Sequence, residues 1–194
     1  IKSNIKALLL YHGMEVPKEF DSPNWSKAFI QWLMNIKWTH QTGKICLDSK
    51  LRMFNLIHEE YLQLANELRA YCRKHHKNDY YLLKSIPGIG GYLASAIIDL
   101  RRFSSEAQFA SYVGIVPTIR NSGGTEKIQG VTPRCKGLLR SYIIESAWVA
   151  FRLDPEMQTY YRKHIGRNPK SIIVKIARKL LNRMLAVIKS GVPY

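Results

Sequence analysis

Hydrophobic residues recur every three or four positions along most of the chain, which is the spacing of helices rather than of strands. One run has successive spacings of 3, 4, 3, 4 and 3, the a/d pattern of nearly three heptads. A helix with such a seam packs against a neighbour in the same chain or pairs with a second copy. The seam consists of Phe54, Ile57, Tyr61, Leu64, Leu68 and Tyr71.

Two shorter helices precede this run. One carries Ile1, Ile5, Leu8 and His12 at helical spacing and stops at a glycine. The other is rich in aromatic residues, Trp25 to Leu33, and follows a predicted turn at 21–24 in which Asp21 or Ser22 serves as the helix cap. Residues 1–80 are therefore predicted to be a helical linker or coiled-coil segment.

A glycine-rich motif follows at 81–100, with Ile-Pro-Gly-Ile-Gly at 86–90 and small or apolar residues at helical spacing after it. This pattern is typical of a helix-hairpin-helix, in which glycines permit a tight turn and expose backbone amides at the start of the second helix. Such amides hold a phosphate without reading sequence, so Gly88 and Gly90 are candidate DNA contacts. An ordinary helical hairpin fits the same residues. The Val-Asp-Thr-His-like context of a hairpin glycosylase is absent from the sequence.

The least regular stretch covers 114–134, with glycines and prolines dense at both ends, and we predict a long functional loop at 114–137. Ser122 precedes two glycines in it, and a serine among cations can attack or hold a phosphodiester. From spacing alone, a surface Ser-Gly-Gly turn is the simpler alternative. The cations near Ser122 in sequence, candidate phosphate contacts, are Arg120, Lys127, Arg134, Lys136 and Arg140.

A short helix from Ser105 to Tyr112 precedes the loop, and two helices are predicted to close the chain within 138–194. The first runs from Leu138 to about Arg152 and ends at Asp154-Pro155; the second is capped by Asn168 with Pro169 at its first position. One face of the last helix is apolar and is assigned to the core: Ile173, Ile176, Leu180, Met184, Val187 and Ile188. The opposite face carries Lys175, Arg178, Lys179, Asn182 and Lys189 and is either solvated or directed at phosphate. The expected fold is mainly α.

The charge of the chain restricts the class of partner that it can bind. The 194 residues carry 30 Lys+Arg and 14 Asp+Glu, a net charge of +16, and the nine basic residues from 160 onward face no acid there. This favours a polyanion, since neutralising phosphates releases counterions. The sequence has no run of 18 apolar residues, so no membrane span is predicted. The three cysteines are widely spaced, which favours a reducing compartment. The absence of an initial Met suggests a fragment of a longer protein.

Several motifs in order resemble the C-terminal domain of the IS110/IS116/IS902 insertion-sequence transposases. The resemblance covers about 81–194 and lies in these segments: 86–90, 103–117, Asn121-Ser122-Gly123-Gly124, Val131-Thr132-Pro133-Arg134, Leu139-Arg140, Glu145-Ser146-Ala147-Trp148, Asp154-Pro155, 177–181 and Pro193-Tyr194. Residues 1–80 look like the coiled-coil segment that joins this domain to the family's RuvC-like domain.

The resemblance implies a recombinase that cuts and rejoins DNA to mobilise an insertion sequence, in the bacterial cytoplasm at the nucleoid. The family serine, which becomes covalently joined to DNA, maps to Ser122. The implied partners are DNA, a guide RNA encoded by the element, and further copies in a homo-oligomer, with no membrane.

Two departures from the family pattern qualify this reading. Cys135-Lys136 stands where Gly-Asn is common in the family, which leaves the contacts there open. No spaced set of carboxylates is found in the sequence, so we expect no metal site or cofactor in this fragment and Mg²⁺ in a missing RuvC-like domain with an Asp-Glu-Asp-Asp site. The fragment alone is expected to bind nucleic acid without completing the reaction.

Overall fold

A computed structural model describes residues 1–20, 25–122 and 125–194, with the side chains of 119–129 left out of the description. The helices are α1 (Lys2–Tyr11), α2 (Lys27–Asn35), α3 (Gln41–His75), α4 (Lys77–Ser85), α5 (Gly91–Ala96), α6 (Glu106–Val113), α7 (Gly137–Leu153), α8 (Pro155–Arg162) and α9 (Pro169–Ser190). Strands β1 (Pro117–Ser122) and β2 (Thr125–Val131) lie between α6 and α7. The prediction of a mainly α fold is confirmed.

The chain divides into two compact units, Ile1–Asn66 and Glu67–Tyr194, with the division inside α3. The first unit has a small core to which α1, α2 and the start of α3 contribute: Ile5, Leu9, Phe29, Leu33, Leu47 and Leu51. Ser26 caps α2, since its hydroxyl accepts a hydrogen bond from the Phe29 amide at 3.1 Å. The predicted cap at Asp21 or Ser22 is therefore wrong, and the turn predicted at 21–24 lies outside the described residues.

The predicted heptad seam lies on a single helix, α3, whose 35 residues include all six seam positions. Its apolar side chains remain largely in contact with solvent. The exposed fractions are 56% for Ile57, 61% for Leu64, 39% for Leu68 and 56% for Tyr71. Apolar area on this scale would stabilise the helix if it were covered, at about 25 cal/mol per Å².

The second unit is built around α9. Ten of its side chains are buried, among them all six of the predicted apolar face, and it contacts α4, α6, α7 and α8. The Asn168 side chain accepts a hydrogen bond from the Lys170 amide at 2.9 Å, with Pro169 in the first turn, so the predicted start of the helix is confirmed. Leu181 and Leu185 are also buried, because α9 packs against neighbours on more than one side.

The helix α7 ends at Leu153, as predicted, but the number of closing helices differs from the prediction. Three helices, not two, close the chain, since α8 begins at once after Asp154. The Asp154 carboxylate accepts hydrogen bonds from the Glu156 and Met157 amides at 2.9 and 3.4 Å, which is the N-cap arrangement that Pro155 at the first position favours. Asp154 is buried, and its second oxygen forms an ion pair with Arg183 and accepts a hydrogen bond from the Tyr194 hydroxyl at 3.0 Å.

The long irregular loop predicted over 114–137 is also wrong in part. Residues 117–122 and 125–131 pair as an antiparallel two-stranded sheet. The β-branched residues of this stretch, Thr118, Ile119, Thr125, Ile128 and Val131, favour extended backbone, whereas the prediction gave more weight to its glycines and prolines. Among the described residues, no helix is long and apolar enough to cross a bilayer.

Candidate functional site

Ser122 is the last residue of β1 and pairs with Thr125, the first residue of β2. The pairing continues through Arg120 and Lys127 and shifts between Ile119 and Pro117, where β2 has an extra residue and Gly130 adopts a left-handed φ of +51°. A bulge with glycine in this conformation increases the local twist of a hairpin. The side chains of Ser122, Arg120 and Lys127, three of the predicted site residues, lie outside the described residues.

The two chain segments that lead into and out of the hairpin meet at its base. We call this base the neck; it comprises Gly114–Val116 and Thr132–Cys135. The Thr132 amide donates a hydrogen bond to the Val116 carbonyl at 3.0 Å. Gly114, at the end of α6, has a φ of +85°, and a Cβ at this position would overlap the Cβ of Cys135. Glycine is therefore required here by both conformation and space.

Two arginines from different helices hold the neck. Arg140 on α7 donates hydrogen bonds through Nη1 to the Thr132 carbonyl at 2.7 Å and the Gly114 carbonyl at 3.3 Å. Arg178 on α9 donates to the Ile115 carbonyl at 3.4 Å. Both side chains are half-buried. Each arginine thus satisfies backbone acceptors that would otherwise lie unpaired beside the core.

These contacts separate the candidate phosphate ligands into three groups. Arg140 and Arg178 come together at the neck and hold backbone there, which leaves their other N–H groups for a ligand. Arg134 and Lys175 are exposed. Lys136 and Lys179 lie over aromatic rings, Lys136 over Tyr112 at 5.9 Å and Lys179 over Tyr160 of α8 at 4.6 Å. A cation over a ring keeps its charge available at the surface.

The predicted glycine hairpin joins α4 to α5 through residues 86–90. Gly88 has a φ of +90°, and a Cβ there would lie 2.5 Å from the Ser146 carbonyl oxygen and 2.9 Å from the Ala150 nitrogen of α7. Gly88 therefore permits close packing of this turn on α7. Gly90 is exposed, precedes the first residue of α5, and has open space around it. Of the two glycines, Gly90 has the backbone that a phosphate can approach.

The described residues contain no group of three or more His, Cys, Asp or Glu placed to hold a metal ion. The Mg²⁺ that the family resemblance implies therefore finds no ligand set in this part of the chain. Two neighbouring acidic side chains, Asp154 and Glu156, are paired with Arg183.

The second unit is helical and carries a hairpin whose sequence contains basic residues and a serine. This combination fits the class of DNA recombinases to which transposases belong. Residues 80–162 match the model of the Transposase IS116/IS110/IS902 family, a segment that includes the glycine turn, the hairpin and α7. This segment of the chain is therefore similar to a domain of that transposase family.

Curated relatives support the same assignment. A putative transposase of Sinorhizobium fredii is 22% identical, over 98% of this chain and 53% of the relative. A protein of insertion element IS110 from Streptomyces coelicolor is 24% identical, over 79% of this chain and 39% of its own length. The pilin gene-inverting protein of Moraxella bovis is 35% identical, over 58% of this chain and 38% of the relative. The chain spans about half the length of these relatives or less.

Several residues of the site carry little sequence signal for their role. Gly114 and Cys135, whose close approach closes the neck, are far apart in sequence and form no recognisable pattern. Glu145 and Trp148 belong to a motif that was used only for the resemblance. Their spacing of three residues places both on one side of α7, which was the available signal that they act together.

Proposed function

We propose that this chain is the serine-bearing part of a transposase that cuts and rejoins DNA, and that Ser122 is the nucleophile. The observation that carries the proposal is the family match over 80–162, which contains Ser122 at the end of β1. The net charge of +16 supports a DNA substrate. Relatives described as transposases, and one described as a gene-inverting protein, have in common the rearrangement of DNA.

The proposed chemistry is a transesterification. The Ser122 hydroxyl oxygen forms a bond to phosphorus, the bond from phosphorus to one deoxyribose oxygen breaks, and the serine proton leaves for a base while the released deoxyribose hydroxyl gains one. The bond energy is kept in the protein–DNA ester, so the reverse attack by another hydroxyl rejoins DNA. Guanidinium and ammonium groups near the hairpin stabilise the negative charge on the phosphoryl oxygens, with Arg120, Lys127, Arg134 and Lys136 as candidates.

The test is Ser122→Ala in the full-length transposase. We expect loss of the covalent protein–DNA product on a denaturing gel while DNA affinity stays unchanged. Ser111→Ala, a change of an exposed serine on α6, is the matched control and should leave both unchanged. A Ser122→Ala protein that still forms the adduct excludes Ser122 as the nucleophile. Absence of a covalent product from the unmodified protein as well favours the other candidate, a non-catalytic helix-hairpin-helix module that contacts the DNA backbone through Gly90.

The remaining partners belong to this proposal. We propose that Mg²⁺ is bound by an acidic RuvC-like domain elsewhere in the full protein, that a guide RNA directs the choice of sites, and that the protein works at the nucleoid in the bacterial cytoplasm. The chain spans 53% of the Sinorhizobium relative, which leaves length in that relative for a further domain.

We further propose that the exposed seam of α3 pairs with a second copy, as transposition needs the two ends of an element in one complex. Ile57, Leu64 and Leu68 expose apolar surface at heptad spacing, which a parallel or antiparallel partner helix covers. Leu64→Asp together with Leu68→Asp should abolish association in sedimentation velocity. Leu56→Asp with Leu62→Asp changes two leucines that are similarly exposed but lie on the other side of α3, and association should persist. Equal effects of the two double variants would exclude the seam as the interface.

A further inference from the structure

A surface cavity of about 400 Å³ lies beside the neck, between α7 and α9. Its apolar lining includes Ile115 of the neck, Val131 at the end of β2, and Trp148 and Ile173 on α7 and α9. An enclosed cavity of about 150 Å³ already accommodates a benzene ring. The volume here is therefore enough for a flat bicyclic ring and part of a sugar.

The polar residues of the cavity are few and of opposite charge. Glu145 on α7 contributes a carboxylate, and Lys170, in the first turn of α9, contributes an ammonium group. Both side chains are exposed, and among the described residues neither forms a hydrogen bond or ion pair. Arg140, which also holds the neck, lines the same cavity with its remaining N–H groups.

This combination selects among ligands. Apolar walls with an indole favour a flat aromatic ring that stacks, at about 1–3 kcal/mol per base in nucleic-acid sites. A carboxylate at the edge accepts hydrogen bonds from an amino group, as Glu does from the exocyclic amine of cytosine. The ammonium and guanidinium groups fit a phosphate attached to the ring through its sugar. A bare anion would leave the apolar walls and the Glu145 carboxylate without a partner.

We infer that this cavity binds one unstacked nucleobase of the DNA, a base that carries an exocyclic amino group. The inference rests on the proposed function, because that function brings DNA to this surface. It adds a contact to a base to a surface that is otherwise proposed to contact phosphate. Enzymes that do chemistry on a base show that unstacking one costs a few kcal/mol, a cost that a stacking pocket offsets. The neck joins this cavity to the hairpin that carries Ser122, so a base held here fixes the position of the strand relative to the serine.

Trp148 provides a local probe, since it is the single tryptophan of residues 67–194, the others being Trp25, Trp32 and Trp38. We would label the chain with 5-fluorotryptophan and assign the Trp148 resonance in ¹⁹F NMR with Trp148→Phe. The probes are dAMP, dCMP, dTMP, inorganic phosphate and indole. We expect dAMP and dCMP to shift the Trp148 resonance saturably, and dTMP to bind about tenfold more weakly, near the low end of the discrimination that hydrogen bonds to a base edge provide.

Two variants test the carboxylate. Glu145→Gln should remove most of the difference between dCMP and dTMP, whereas Glu106→Gln, an exposed change on α6 outside the cavity, should preserve it. Equal shifts with inorganic phosphate would show an anion site and overturn the inference, as would equal shifts with indole, which would show an unselective apolar pocket. Absence of any shift at Trp148 also overturns it.

Duplex and single-stranded DNA, titrated by fluorescence anisotropy, separate this result from the proposed function. DNA binding without a response at Trp148 refutes the cavity alone. Nucleotide binding in the cavity without affinity for longer DNA refutes the DNA-acting role and, with it, the source of the base.

Discussion

Arg140 gives a sharp test of how the hairpin is held. Its guanidinium is a candidate phosphate contact by sequence, but it donates two hydrogen bonds to the neck. A hydrogen bond from a charged donor contributes about 1.5–3 kcal/mol. The bond to Thr132, at 2.7 Å, has a favourable length, while the bond to Gly114, at 3.3 Å, is long for an N–H donor. Because the side chain is half-buried, we take about 2 kcal/mol as the combined value.

Arg140→Ala should therefore open the neck about 30-fold more often, since about 1.4 kcal/mol corresponds to a factor of ten. The measurement is amide hydrogen exchange by NMR at Thr132, whose N–H is bonded to the Val116 carbonyl in the neck. The Leu181 amide, in the buried middle of α9, reports on unfolding of the whole unit and should keep its protection.

Arg134→Ala is the matched control, because Arg134 is exposed and belongs to the same segment. In Arg134→Ala, the hydrogen-exchange rate of the Thr132 amide should equal that in the unmodified chain. If Arg140→Ala leaves Thr132 protection unchanged without DNA, Arg140 does not hold the neck and acts as a phosphate ligand only. If Thr132 and Leu181 lose protection equally, the arginine stabilises the whole unit and not the hairpin.

Two further predictions concern the rest of the second unit. Gly88→Ala should lower the free energy of unfolding in urea by about 2 kcal/mol or more, because the new Cβ would lie 2.5 Å from the α7 backbone and the φ of this residue is +90°. Gly90 has open space around it, so Gly90→Ala should change the free energy of unfolding by less than about 1 kcal/mol. Equal losses would contradict the packing role of Gly88. Burial and then the hydrogen bond to Asp154 raise the pKa of the Tyr194 phenol above its ordinary value near 10. Its contribution to stability is therefore complete below pH 10 and is lost as the pH rises through the folded-state pKa, so Tyr194→Phe should unfold in urea with a weaker dependence on alkaline pH.

The helices were predictable from the sequence where one side of each is clearly apolar. The start of α9 follows from Asn168-Pro169, and its buried face from the spacing of Ile173 to Ile188, because local capping and periodicity determine both. The start of α8 was missed because Asp-Pro was interpreted only as the end of α7, although the same aspartate caps the next helix. A local sequence pattern assigns such a residue to one helix only, although it belongs to the ends of both.

The hairpin and its neck were not predictable in the same way. Strand pairing depends on contacts between residues on either side of a turn, and the glycines of this stretch masked its β-branched positions. The roles of Arg140 and Arg178 depend on α7 and α9 meeting the two segments of the neck, which no local spacing encodes. From their charge alone, both arginines were predicted to contact phosphate. In the structure they donate some of their hydrogen bonds to backbone carbonyls of the neck instead.

The close approach of Gly114 and Cys135 makes residues 115–134 an insertion whose two ends coincide. Closing a loop costs entropy that grows slowly with loop length, and here the helical domain has fixed the ends already. A longer or shorter hairpin can thus be grafted onto the same junction without moving α6 or α7. The helical frame and the hairpin that carries Ser122 can therefore change in length independently, as long as the glycine at the junction is kept.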